Sequence, residues 1–220
     1  MISIKEIKNH PYVQEFIYQT EITLEALEYT EHAFRHANLV SERSAEIAKK
    51  IGLSKKEQEI AAIVGFCHDM GNFLGRQQHH YWSALLFNQL FQKDFSPQEL
   101  SFILQAIVNH DKQTMKIVNK ISAITILADK SDVHRSRVTL PNIKSSKADI
   151  HDRVNYATTK SMHKIDPKKK RITLILKIDT KFCSIMEYFE IFTERMTYCR
   201  EAANYLGYKF GLVINNFKLL

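Results

Sequence analysis

Cysteine is scarce in this chain: three in 220 residues, Cys67, Cys183 and Cys199, widely spaced and with no CxxC pair. An odd, scattered count argues against a disulfide framework and suits a reducing compartment. Long apolar runs are missing as well. Nowhere do eighteen apolar residues follow one another, and the opening MISIKEIKNHPYVQEF has no unbroken apolar stretch, so neither a membrane partner nor export is expected and a cytoplasmic location is. There is no Gly-rich phosphate loop and no GxSxG elbow, so neither a backbone phosphate cradle nor a serine nucleophile is expected. No internal repeat or low-complexity segment is visible.

What is present is an ordinary globular composition, 45% apolar and 25% charged, with enough length for one large domain or a domain of roughly 140 to 150 residues plus a small module. The net charge of +7 is unevenly placed. Residues 1–140 carry 16 Lys and Arg against 16 Asp and Glu, whereas residues 141–220 carry 15 against 8. A basic last third can attract an anionic substrate or nucleic acid.

Residues 1–135 read as successive helices. In EHAFRHANLVSERSAEIAKKI, the residues Ala33, His36, Ala37, Val40, Ser44, Ile47 and Ile51 recur at three- and four-residue steps, which places His36 on a core-facing stripe. Gly52 ends that helix, and Ser54 with Glu57 forms a capping box for the next, whose face of Ile60, Ala61, Val64 and Cys67 leads to His68. Gly71 is expected to let the chain turn there. Ser96 with Glu99, and Pro97 between them, opens a further helix with Leu100, Ile103, Leu104 and Ile107 inward and His110 continuing that face. Ile124, Thr125 and Ala128 lead in the same way to Asp129. Cys67 reads as a small buried hydrophobe, and His32 as an exposed or capping histidine.

Past Pro141 the texture changes. VTLPNIKSSKADIHD reads as a connection, followed by strand-like stretches at about 153–164 and at 171–179 around the turn DPKKK, a helix from Phe182 to Tyr205 ended by Gly207, and a third strand in YKFGLVINNFKL. The expected fold is mainly α: an all-helical domain over 1–140, then a basic β-β-α-β module over 141–220.

The chemistry lies in His36, the adjacent pair His68 and Asp69, and Asp129. Imidazole nitrogen with carboxylate oxygen suits a divalent manganese, iron, cobalt, nickel or zinc ion better than magnesium. On spacing alone Asp129 and Asp132 stay tied as the closing ligand, since three residues apart on a helix they share nearly one face. With RHANLV, HDMGN and ADKSD in this order on a helical framework, residues from about 30 to 137 resemble the HD superfamily of metal-dependent phosphohydrolases. The resemblance implies that Asp129 is the ligand. It also implies a second metal position held by His79, which fits the family spacing better than His80, and by His110, with Asp69 as the bridging carboxylate. One or two ions are thus expected.

The resemblance implies hydrolysis of a phosphoester or phosphoanhydride in a small phosphorylated compound, with a nucleotide foremost. Lys130, Arg135 and Arg137, just beyond Asp129, are candidates for contacts to its phosphate. The chain departs from the family at Asn72, where many members have a lysine, and no GYP extension follows His110. Two other readings remain: a nucleic-acid-directed phosphodiesterase or binder, and a nucleotide sensor without turnover. The C-terminal module is expected to cover or select the substrate, or to pair subunits in a homodimer.

Overall fold

The computed structural model describes residues 1–27, 29–111, 116–138 and 149–220; the expected domain boundary near 140 and most of the connection after it lie outside these residues. Among the described residues the chain forms nine α-helices and a four-stranded sheet at the C-terminal end. The N-terminal helices are α1 (Ile4–Lys8), α2 (Pro11–Ala26), α3 (Phe34–Lys50), α4 (Lys55–Cys67), α5 (His79–Phe91), α6 (Pro97–Asn109) and α7 (Lys120–Lys130). Ser54 and Ser96 each accept from the backbone N–H three residues on, while Glu57 and Glu99 return the bond, so both expected capping boxes start their helices.

Helix α7 is the axis of the bundle. Every residue from Ile121 to Asp129 is buried, because α3, α4, α6 and α9 (Ile185–Tyr205) pack around it. A helix apolar on all sides belongs inside a fold. Full burial of Ile124, Ile126 and Leu127 contributes about 1.5–3 kcal/mol each.

The C-terminal part begins differently from the expectation. Residues of the presumed strand start form α8 (Ile150–Ala157), whose N-cap Asp149 accepts from the N–H groups of His151 and Asp152; this cap, with Val154 and Ala157 buried on one face, favours a helix over a strand. The chain then enters β1 (Thr158–Asp166), which pairs antiparallel with β2 (Arg171–Ile178). β2 pairs parallel with β3 (Lys209–Ile214), the crossover being α9. The final stretch, expected as one strand, folds back at Asn215 and Asn216, whose φ of 50° and 73° make the tight turn, so that β3 pairs antiparallel with β4 (Phe217–Lys218). Ile172, Leu174, Leu176 and Ile178 alternate inward along β2. They join Phe210, Leu212 and Ile214 of β3 and Tyr188, Phe192 and Cys199 of α9 in a core continuous with that of the helical bundle.

Candidate metal centre

The centre is built where backbones come close. α3 and α4 meet at Gly65, where a Cβ would stand 2.8 Å from the Val40 carbonyl oxygen and 2.9 Å from Ser44 Oγ. That crossing brings His36, on the inner stripe of α3, to His68 at the C-terminal end of α4, with Nε2 3.2 Å from Nε2. The chain turns at Gly71, as expected, but the glycine is needed there for another reason. Its φ of −93° is open to any residue, but a Cβ would meet Ser83 N at 2.5 Å and the His79 carbonyl oxygen at 2.9 Å. The absent side chain lets α5 abut the His-Asp segment, and the Gly71 N–H donates to Ser83 Oγ at 2.9 Å.

Six donor groups converge here. His36 Nε2 lies 3.7 Å from Asp69 Oδ2 and 3.4 Å from Asp129 Oδ1. His68 Nε2 lies 3.6 and 3.8 Å from the same two oxygens. The other Asp69 oxygen, Oδ1, faces His79 Nε2 at 3.0 Å and His110 Nε2 at 3.3 Å, and those two nitrogens are 3.1 Å apart. His36, His68, His79 and His110 are buried, and Asp69 and Asp129 nearly so. His80 groups not with Asp69 but with His79 and Asp111 as a further set of candidate donors, and its ring lies 4.4 Å from that of Tyr81 between centroids.

The far side of each imidazole settles its tautomer. Nδ1 of His68, His79 and His110 donates to the backbone oxygens of Gly65, Arg76 and Ile107 at 2.8, 2.9 and 2.6 Å. Nδ1 of His36 donates to Asp132 Oδ2 at 2.7 Å. With the protons on Nδ1, four Nε2 lone pairs and two carboxylates face one another among buried side chains, with Arg76 Nη1 3.4 Å from His79 Nε2 at one edge. Such an arrangement repels itself unless a cation sits among the lone pairs. Donor separations of 3.0–3.8 Å match ligands each about 2.0–2.2 Å from a shared ion. The residues present therefore fit divalent metal: His36, His68, Asp69 and Asp129 in one group, His79, His110 and Asp69 in another.

Electrostatics agree. Burial would raise the Asp69 carboxyl, but the adjoining His68, His79 and His110 hold it well below the usual carboxylate range. Burial likewise opposes ionisation of Asp129, and Lys130 together with His36 and His68 outweighs it. Burial disfavours charge on His36, yet its contacts to Asp129 and Asp132 push it up to about 9. A site that draws positive charge to Nε2 this strongly suits a cation there.

Around the donors stand groups of three kinds. Asp132 is wholly buried and supports His36 from behind, itself held by Arg35 Nη2 at 2.8 Å, so the two aspartates that spacing left tied take different places. Lys130 bridges Asp129 Oδ2 and Asp111 Oδ1, both at 2.9 Å. Arg137 is buried and donates to the Asp132 carbonyl oxygen and to His32 Nε2, each at 2.7 Å. His32, expected to be exposed or capping, is instead half-buried and props this arginine. Arg135 is exposed, its guanidinium 5.4 Å from the Tyr156 ring centroid. Cys67 is a buried hydrophobe, as expected, its thiol pushed up by burial.

Sequence reasoning passed over Asp111 and Arg76. Asp111 follows His110 in a second His-Asp pair, a signal that was there to read, and its Oδ2 is 3.8 Å from His79 Nε2. Arg76 lies 4.0 Å from Asp69 Oδ1 and donates to Asn72 Oδ1 at 2.9 Å. The neutral Asn72 thus anchors a cation four residues on.

No protein-family model matches the chain. An uncharacterized protein of Methanocaldococcus jannaschii is similar to it, 26% identical over 212 residues that cover 85% of this chain and 80% of the relative. Among the described residues no helix is long and apolar enough to cross a membrane. The chain is a helical framework around a buried His/Asp cluster suited to metal, an arrangement compatible with an HD domain.

Proposed function

We propose that the protein is a metal-dependent phosphohydrolase of the HD type, cleaving a phosphoester or phosphoanhydride in a small phosphorylated compound, with nucleotides the foremost class. The observation that carries this reading is the pair of donor groups sharing Asp69, each of whose oxygens faces its own two histidines. When bound, divalent ions acidify water toward neutral pH and offset the charge of a phosphate, two requirements for hydrolysing an anionic ester.

The chain's own groups do the remainder. Asp69 and Asp129 supply the negative charge that retains cations, and the four Nδ1 contacts fix the rings so that their lone pairs need no rearrangement. Lys130 and Arg76, at the rim of the donor cluster, place positive charge where phosphate oxygens would lie. Burial of the donors excludes bulk water and strengthens each of these interactions. Nothing in the cluster is a protein nucleophile, and burial pushes up the thiols of Cys67 and Cys199.

The test is phosphate release by full-length protein stripped with chelator and reloaded singly with manganese, ferrous iron, cobalt, nickel, zinc or magnesium. The substrates are nucleoside mono-, di- and triphosphates, dinucleotides and short RNA. Hydrolysis of a small phosphorylated compound, stronger with a transition metal than with magnesium, is expected. Cleavage confined to RNA would instead make the basic last third a nucleic-acid surface. Metal-loaded protein inert toward every substrate would overturn the hydrolase reading.

A further inference from the structure

A cavity of about 550 Å³ opens beside the centre, and its walls come from both ends of the chain: Arg76 and Arg137 from the helical part, Asp152 and Asn155 from α8, Phe192 and Arg195 from α9. The volume is that of a small-molecule site.

Its three arginines lack the partners that arginines normally take when drawn together. Arg76 is held by a neutral amide and, at 3.4 Å, by His79 Nε2, and Arg137 by a carbonyl oxygen and an imidazole. Arg195 rests on the face of Phe192, 4.5 Å from guanidinium carbon to ring centroid. Among the described residues it has no hydrogen bond or ion pair, and no carboxylate oxygen comes nearer to any of the three guanidinium groups within the cavity wall than the 3.8 Å between Arg137 Nε and Asp132. Arg195 also lines the neighbouring recess with Asp111 and Lys130, so it stands at the edge of the donor cluster. Two lining residues, only 2% and 3% exposed, each hold a buried atom with no hydrogen-bond partner, Arg137 Nε and Asn155 Oδ1. An unsatisfied buried donor in one lining residue and an unsatisfied buried acceptor in another are each costly unless a ligand completes them.

We propose that this cavity holds the substrate, with Arg195, Arg76 and Arg137 gripping the phosphate of a phosphomonoester and Asn155 with Asp152 receiving a hydroxyl- or amine-bearing remainder such as a ribose. Arginine forks match phosphate oxygens in pairs, and the free Asn155 Oδ1 can accept only from an O–H or N–H. The C-terminal module is then part of the substrate site, contributing Arg195 and Asn155. The burial of Arg195, which with the nearby Arg137 lowers its guanidinium, makes a bound anion more valuable there. The assignment of substrate rests on the phosphohydrolase reading; the assignment of the ligand does not.

Calorimetric titration of chelator-treated full-length protein, in which no turnover interferes, separates the two. The probes are ribose 5-phosphate, AMP, adenosine and inorganic phosphate. At least one of the two phosphomonoesters should bind roughly tenfold or more tighter than inorganic phosphate and adenosine. Arg195→Gln should weaken it about tenfold, the loss expected for a charged hydrogen bond, while thermal melting stays near wild type; Arg195→Lys should fall between. If Arg195→Gln and Arg195→Lys both leave phosphomonoester affinity unchanged, or if neither phosphomonoester outbinds inorganic phosphate, the inference is overturned. If the phosphomonoester binds through Arg195 but is never hydrolysed by metal-loaded protein, the inference stands and the hydrolase reading fails. Hydrolysis with a KM indifferent to Arg195→Gln gives the reverse.

Discussion

At the scale of single residues, the division of labour between Asp129 and Asp132 makes the sharpest contrast. Asp129 Oδ1 faces two histidine lone pairs, whereas Asp132 touches the centre only through His36 Nδ1. Asp129→Asn should therefore abolish turnover, because an amide replaces a charged donor. Asp132→Asn should keep metal and a measurable rate, with metal affinity down by about 10- to 100-fold, the usual effect of removing a ligand's outer partner. Metal titration with activity measured at saturation checks this, and equal loss in both variants would contradict it. His36, His68, His110 and Asp129 were legible in the sequence because each continues the apolar stripe of its own helix, whereas the choice of Asp129 over Asp132, and the placing of His79, came from the resemblance. Asp111 carried only the weaker signal of a second His-Asp pair, with no stripe leading to it, and Arg76 carried none, since it acts through Asn72 across four residues of irregular chain.

Elements were legible where their ends carry chemistry. Ser54 with Glu57 and Ser96 with Glu99 announce their helices, and Gly71 announces that something special happens after the His-Asp pair, though not what. Its reason lies in the packing of α5, which no local pattern contains. Gly71→Ala must push α5 away from the site, so a loss of about 1–3 kcal/mol, the range for overpacking, is expected. At about 2–4 °C per kcal/mol for a chain of this size, the melting temperature should drop by several degrees, and metal affinity should weaken with it. An unchanged melting curve would show that α5 does not abut Gly71. Helix α8 was misread because IHDRVNY has few apolar residues and borders a true strand, so that its one clear signal, the Asp149 cap, was absorbed into the connection. β4 was missed because it is two residues long and follows an Asn-Asn turn inside an apparently continuous stretch.

Over the whole molecule, the helical bundle and the sheet meet through α7 and α9 and again where α3 faces β1. At the second contact Arg43 reaches Ser131 Oγ and the Ser161 carbonyl oxygen, at 2.8 and 2.6 Å. His163 on β1 lies nearby with both ring nitrogens buried and unpartnered. Burial, reinforced by Arg43, pushes His163 down to about 3, below the roughly 6.5 of an unfolded chain. The unfolded state then binds more protons between these values, so this residue costs no stability above about pH 6.5 and an increasing amount as pH falls toward 3. His163→Leu should gain stability over wild type progressively between pH 7 and 4 in chemical denaturation, and a difference that does not vary with pH would refute the assignment. The central claim is that one buried carboxylate, Asp69, joins two metal positions inside this fold. Elemental analysis of carefully loaded protein tests it most directly. Two divalent ions per chain are expected for the wild type, a value near one for His79→Ala and His110→Ala, and loss of most metal from a still-folded Asp69→Ala; a fully loaded wild type with one ion or none, or an Asp69→Ala variant with its metal intact, would contradict the account.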